Sequence, residues 1–141
     1  MLRVVLDTNV WISAWLWGGL PWKLIMMHQN QKIVIYSSAA ILQELSATLK
    51  RPKFKARLEL LNGSASAVVE TTLSLVKLCS IACVDASELR DPNDIIIIGT
   101  AVAAEANAII TGDQDLLVLE SYLSILILTP KQFIDQYSFS Q

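Results

Sequence analysis

Leu2-Arg3-Val4-Val5-Leu6 is a short, nearly unbroken apolar run that stops abruptly at Asp7-Thr8-Asn9. A run of this kind reads as a strand buried on both faces, which is the position of a central strand in a parallel sheet. Asp7 then stands at the carboxyl end of that strand, where open α/β sheets place their ligands. The pattern recurs. Ile33 to Tyr36, Ala108 to Ile110 and Ile125 to Leu128 are further strand-like runs, with helical patterns between them, and a short strand is expected near Ile81 to Val84. Strands alternating with helices specify an α/β fold with a parallel sheet.

The chain has 141 residues, sufficient for a single domain spanning 1–141, and no linker, repeat or low-complexity tract divides it. Hydrophobic residues at 53% against 17% charged exclude a disordered chain. No apolar run approaches the roughly 18 residues of a membrane span. Asp7 interrupts the N-terminal run, which argues against a signal peptide, so a cytoplasmic location is expected. Net charge is −2, so any nucleic-acid surface has to be local. The two cysteines, Cys79 and Cys83, suit buried free thiols better than a disulfide framework or a zinc site.

Between the strands, Val10 to Trp17 is helical and Gly18-Gly19 ends it; Pro21 opens the next helix. All four tryptophans lie here, at 11, 15, 17 and 22, either as core or as a partner surface. His28 reads as a surface residue at a helix end. Ser37 or Ser38 caps a helix to about Leu49, with Glu44 at the edge of its apolar face. The basic cluster Lys50, Arg51, Lys53, Lys55 and Arg57 follows. It serves either to end that helix, with Pro52 as the stop, or to grip phosphates with Phe54 stacking on a base. Asn62-Gly63 is a turn, Ser64 caps a helix to about Leu78, and Thr129-Pro130 caps the last helix.

Asp91-Pro92-Asn93-Asp94 is a helix start, with Asp91 as cap and Pro92 at the first position. Ile95 to Ile98 would suit a strand, but the cap before it and the alanines after it favour helix. Asp94 falls in the first turn, where the helix dipole favours a carboxylate, the ordinary reading for any single Asp; the other acids decide whether it serves a metal instead. Asp7 and Asp113 each follow an apolar strand and rise at one sheet edge, with Glu44 and Asp94 brought there by helices. Carboxylates so grouped, with no lysine among them, require protonation or a cation. An all-oxygen set suits Mg²⁺ or Mn²⁺, and the chemistry suited to it is metal-assisted phosphodiester hydrolysis.

The order Asp7-Thr-Asn9, Glu44, Asp91-Pro-Asn-Asp94 and Thr111-Gly-Asp113-Gln-Asp115 resembles the PIN domain family. Gly18-Gly19-Leu20-Pro21 and Arg51-Pro52-Lys53-Phe54 resemble its branch of toxin components of toxin–antitoxin pairs. The resemblance runs from about residue 3 to residue 135. It implies a three-layer α/β/α sandwich around a parallel sheet of about five strands. It further implies a Mg²⁺- or Mn²⁺-dependent endoribonuclease that leaves a 5′-phosphate and a 3′-hydroxyl. Asp7, Glu44, Asp94 and Asp113 would bind the metal, and Asp115 would assist. Asn9 and Thr111 would orient them or their waters, and Asp91 would remain the helix cap. A cognate antitoxin and a homodimer are the implied partners. Ile95 is a departure, because many relatives carry a polar or acidic residue there. The alternative is a PIN-fold RNA- or protein-binding module with little catalysis. A phosphatase or phosphoacceptor reading fails because no lysine occurs between Lys77 and Lys131, and a dinucleotide fold lacks its glycine loop.

Overall fold

A computed structural model describes residues 1–137 except 86 and 88. Six strands form one sheet: β1 (Leu2–Leu6), β2 (Ile33–Ser37), β3 (Lys77–Leu78), β4 (Ala108–Ile110), β5 (Ser121–Tyr122) and β6 (Ile125–Leu128). Their spatial order is β3-β2-β1-β4-β6-β5. All neighbours are parallel except the terminal β5–β6 pair. As its sequence demands, β1 is central, and Val4, Val5 and Leu6 are wholly buried. From β1 the chain moves outward to β2 and β3, then returns to lay β4 on the other side of β1. That reversal opens a crevice beyond the carboxyl ends of β1 and β4, beside Asp7.

Helices clothe the sheet on both faces, giving the α/β/α sandwich. They are α1 (Thr8–Trp17), α2 (Gly19–Gln29), α3 (Ala39–Leu49), α4 (Pro52–Leu60), α5 (Ala65–Leu75), α6 (Pro92–Ala103), α7 (Gln114–Leu117) and α8 (Pro130–Gln136). Gly18 and Gly19, at φ 77° and 65°, let the chain turn from α1 straight into α2, a conformation a side chain would disfavour. Ser38, not Ser37, caps α3, its hydroxyl accepting from the Ile41 N–H at 3.4 Å. Thr129 and Gln132 form a reciprocal capping box on α8.

The isoleucine run of α6 is helical. Asp91 caps it, accepting from the Asn93 N–H at 2.9 Å, and Ile97 and Ile98 bury against β1, β2 and β4. Burial of each such side chain contributes about 1.5–3 kcal/mol, enough to override a modest β preference. The expected strand at Ile81–Val84 does not form. The strand is Lys77–Leu78, paired with Tyr36–Ser37, and α5 ends earlier, at Leu75. The chain beyond bonds to α6 instead, the Ala82 N–H donating to the Gly99 carbonyl at 3.0 Å. Pro52 does not merely stop α3: it occupies the first turn of a new helix, α4, which carries most of the basic cluster.

Three other expectations change. His28 is part-buried and acts as a staple. Its Nδ1 accepts from the Ile35 N–H (3.1 Å), so the proton sits on Nε2, which donates to the Leu75 carbonyl (2.8 Å). It thereby satisfies the edge of β2 where β3 is too short to reach. The cysteines are not buried: Cys79 is half-buried and Cys83 exposed. The tryptophans divide. Trp11 is wholly buried and stacked on Trp15, whose indole N–H donates to Thr72 at 2.9 Å and ties α1 to α5. Trp17 is exposed, its ring against the edge of Phe54. Among the described residues no helix is long and apolar enough to cross a membrane.

Candidate metal centre

Asp7 leaves β1 as the cap of α1, and both of its oxygens are engaged. Oδ1 accepts from the Thr8 N–H at 2.7 Å, and Oδ2 accepts from the Thr111 hydroxyl at 2.7 Å. Thr111 follows β4 and is fully buried; its oxygen also accepts from the Asp113 N–H at 3.0 Å. One threonine therefore fixes the acids that end two neighbouring strands. Asp113 caps α7, accepting from the Asp115 N–H at 2.9 Å. The cap geometry aligns Asp113 and Asp115 on one short turn.

Asp94 enters from the first turn of α6 and is 4% exposed. Its Oδ2 is buried and has no hydrogen-bond partner. Oxygens of Asp94, Asp113 and Asp115 lie within 4.8 Å of one another. Asp94 is the buried member of the three, with Asp113 half-buried and Asp115 exposed. Burial, then the adjoining Asp113 carboxyl, then the charges of Asp91 and Asp7 push the Asp94 carboxyl up to about 7. Burial also pushes Asp7 up, opposed by the Thr111 and Thr8 hydrogen bonds.

A cleft of about 190 Å³ joins these groups, lined by Asp7, Glu44, Asp91, Asp94 and Asp113 among others. Glu44 projects from α3, steadied by the Thr48 hydroxyl at 2.9 Å and by Arg51 at 4.0 Å. The structure thus brings four of the five sequence-marked acids, Asp7, Glu44, Asp94 and Asp113, to one cleft. It draws the fifth, Asp115, into the tight group with Asp94 and Asp113. Asp7 and Glu44 stand outside that tight group. Asn9 lies on the rim with its side chain exposed. Asp91 is the cap foreseen and also adds negative charge to the cleft. Its place beside Asp94 across one helical turn is the signal that could have shown this.

The basic cluster divides around α4. Arg51 lines the cleft. Lys50 and Lys55 line a separate groove beside Leu58 and Ala65. Lys53 lies over the Phe54 ring, and Arg57 lies over Trp17 while its Nε donates to the Leu16 carbonyl at 2.7 Å. Phe54 is only 8% exposed, so its ring is not presented to a base.

An unpaired, buried carboxylate oxygen is costly unless a cation meets it. Hard oxygen donors only, with no thiolate or imidazole, suit Mg²⁺ or Mn²⁺, so the donor set fits such an ion.

The sequence profile of the PIN domain family matches residues 3–115. The chain is 34% identical over 145 residues to an uncharacterized protein of Methanocaldococcus jannaschii, a match covering 96% of this chain and 92% of that one. In fold it is similar to VapBC2 from Rickettsia felis bound to a DNA fragment from its promoter, at TM-score 0.58 and 15% identity, over 89% of this chain and 97% of that one. It is also similar to a Pyrobaculum aerophilum protein at TM-score 0.58 and 13% identity, over 99% and 98% of the two chains. The chain belongs to the PIN domain family.

Proposed function

We propose that this PIN domain is a Mg²⁺- or Mn²⁺-dependent endoribonuclease acting on single-stranded RNA, and the toxin of a type II toxin–antitoxin pair. One observation supports the metal-dependent reading above the rest: Asp94, whose buried Oδ2 is unpartnered, lies in a tight group of carboxylates with Asp113 and Asp115. Asp94, Asp113 and Asp115 would hold the ion, with Asp7 and Glu44 on the same cleft wall available to join them. When bound, the ion supplies Lewis-acid activation of water and stabilises the oxygen that leaves.

The protein's own residues prepare the cleft for that role. Thr111 and Thr8 fix both oxygens of Asp7, so its charge is aimed without reorganisation. Thr48 orients Glu44 in the same way. The cap geometries of Asp91 and Asp113 hold the starts of α6 and α7 and, with them, the backbones that carry Asp94 and Asp115. No carboxylate has to become a covalent nucleophile, and the products would be a 5′-phosphate and a 3′-hydroxyl.

The toxin assignment rests on the Gly18-Gly19-Leu20-Pro21 and Arg51-Pro52-Lys53-Phe54 resemblance, and the cognate antitoxin, the homodimer and the cytoplasmic location belong to the same proposal, as does a single domain over 1–141. A PIN-fold binding module without useful catalysis is the second reading. Glu44 favours it, being engaged by Thr48 and Arg51 outside the three-acid group.

The test is cleavage of short single-stranded RNA by the purified protein in Mn²⁺ or Mg²⁺, in chelator, and by Asp94→Asn. Cleavage is expected only with metal and native Asp94, with at least about a 100-fold loss in the variant. Undiminished cleavage in chelator or by the variant would overturn the metal-site reading. Tight binding with no cleavage of any RNA would favour the module.

A further inference from the structure

We infer that Arg51 engages the phosphodiester of the RNA directly, exchanging its contact with Glu44 for the substrate phosphate; this rests on the nuclease reading above. Arg51 is the one cation among the described residues that line the acid cleft. The other four basic side chains of the cluster lie elsewhere: Lys50 and Lys55 in a separate groove, Lys53 over Phe54 and Arg57 over Trp17.

Arg51 breaks a local rule. It occupies the N-cap of α4, where Ser, Thr, Asp or Asn is preferred, and its side chain makes no capping bond. A cation at a helix N-terminus also opposes the helix dipole. A residue that works against its own helix points to a role elsewhere. Its backbone is well fixed all the same, because Pro52 follows at the first helical position.

The side chain is 58% exposed, and its nearest Glu44 oxygen is 4.0 Å away, the outer limit of an ion pair. Exposed pairs of this kind hold weakly, so the guanidinium is free to change partner. The cleft itself is built to receive an ion. It contains the nine-tenths-buried Asp94 with an unpartnered oxygen, and Asp7 and Asp113 line the same wall. A phosphodiester approaching so many carboxylates is repelled unless a cation meets its non-bridging oxygens. Arg51 offers a planar fork that matches two of them. Were Glu44 to serve a divalent ion in the cleft, the Arg51 guanidinium would be left to the RNA. Metal and RNA would then favour each other's binding.

The variants are Arg51→Ser, Arg51→Lys and, as a control on the same helix, Lys55→Ala. Thermal unfolding comes first. Arg51→Ser places a good N-cap residue and is expected to melt no lower than the native chain, so any loss of RNA handling is not unfolding. Binding of a fluorescent single-stranded RNA is followed by anisotropy across a salt series in chelator, and single-turnover cleavage is followed in Mn²⁺. Arg51→Ser is expected to weaken RNA binding about 10-fold, to lower the salt slope by about one, and to slow cleavage at least about 100-fold. Arg51→Lys is expected to restore the slope but not the cleavage rate, because a point charge replaces the fork. Lys55→Ala is expected to change cleavage little.

An Arg51→Ser protein that binds and cleaves as the native chain does overturns the inference and leaves the nuclease reading standing. Where the native protein cleaves nothing, the nuclease reading fails and the salt slope alone decides Arg51: an unchanged slope overturns its contact, and a lowered slope keeps it as a binding contact. A folded Arg51→Lys that cleaves at the native rate overturns the two-oxygen contact.

Discussion

Asp94→Asn should stabilise the metal-free protein while sharply reducing the RNA cleavage proposed for it. The substitution keeps the shape of a 4%-exposed side chain and removes its charge from beside Asp7, Asp91 and Asp113. In the folded chain the Asp94 carboxyl is raised from 3.8 to about 7. A raised folded value means that stability is greatest at low pH and is lost as pH climbs through the window from about 4 to about 7. At about 1.4 kcal/mol per decade of proton concentration the full shift would cost about 4.5 kcal/mol above pH 7, and solvent screening in the open cleft brings the loss to about 2–4 kcal/mol. Unfolding entropy for 141 residues is about 0.3 kcal/mol per degree, so the variant should melt about 7–13 °C higher at pH 8 in chelator. The gap should narrow steadily toward pH 4.5, where the native side chain is protonated in the fold. In Mn²⁺ at about 100 times its Kd the native protein gains about 2.7 kcal/mol that the variant lacks, and the order should approach parity or reverse. Calorimetric scans at both pH values, with and without metal, measure all of this. A variant that melts at or below the native chain in chelator at pH 8, or a gap indifferent to pH, would refute the picture of mutually repelling acids awaiting a cation.

Three further outcomes follow from the same structure. Gly99→Ala, ordinarily favourable in a helix, should destabilise by about 1–3 kcal/mol in urea unfolding, because the new Cβ would sit 2.5 Å from Ile81 Cγ2 and 2.7 Å from the Ala82 carbonyl oxygen. His28→Ala strips the Ile35 N–H and the Leu75 carbonyl of their shared partner; a loss of about 2 kcal/mol is expected, with faster hydrogen exchange at the Ile35 amide. Thr111→Val removes the hydroxyl that donates to Asp7 and accepts from the Asp113 N–H; Mn²⁺ affinity by calorimetric titration should fall about 10–100-fold with the fold retained by circular dichroism.

The sheet and most of the acids were legible because their signals are local. A strand that ends in Asp, or an Asp-Pro cap, declares its geometry within a few residues, and Asp7, Asp94 and Asp113 carry such signals. Arg51 and Asp115 were marked, but their separate places were not. Those depend on how α4 turns against α1 through the Arg57 bond to Leu16, and on how tightly α7 winds. The strand at Lys77–Leu78 was hidden because two residues have no period, and only an open stretch of β2 defines them. His28 was misread because its partners lie on β2 and at the end of α5, and neither is adjacent in the helix that carries it.

The hydrogen bond from Thr111 to Asp7 spans 104 positions of chain. The innermost strand is made first, but β4, which completes its other side, is made near the end. Asp7, Glu44 and Asp94 all precede Thr111 in the chain, so the hydroxyl that fixes Asp7 comes from a later segment than any of them. A chain that stops short of Thr111 would carry Asp7, Glu44 and Asp94 but lack Asp113, Asp115 and the hydroxyl that fixes Asp7. Completion of the cleft is thereby tied to the pairing of β4 with β1, a contact between segments that are distant in sequence.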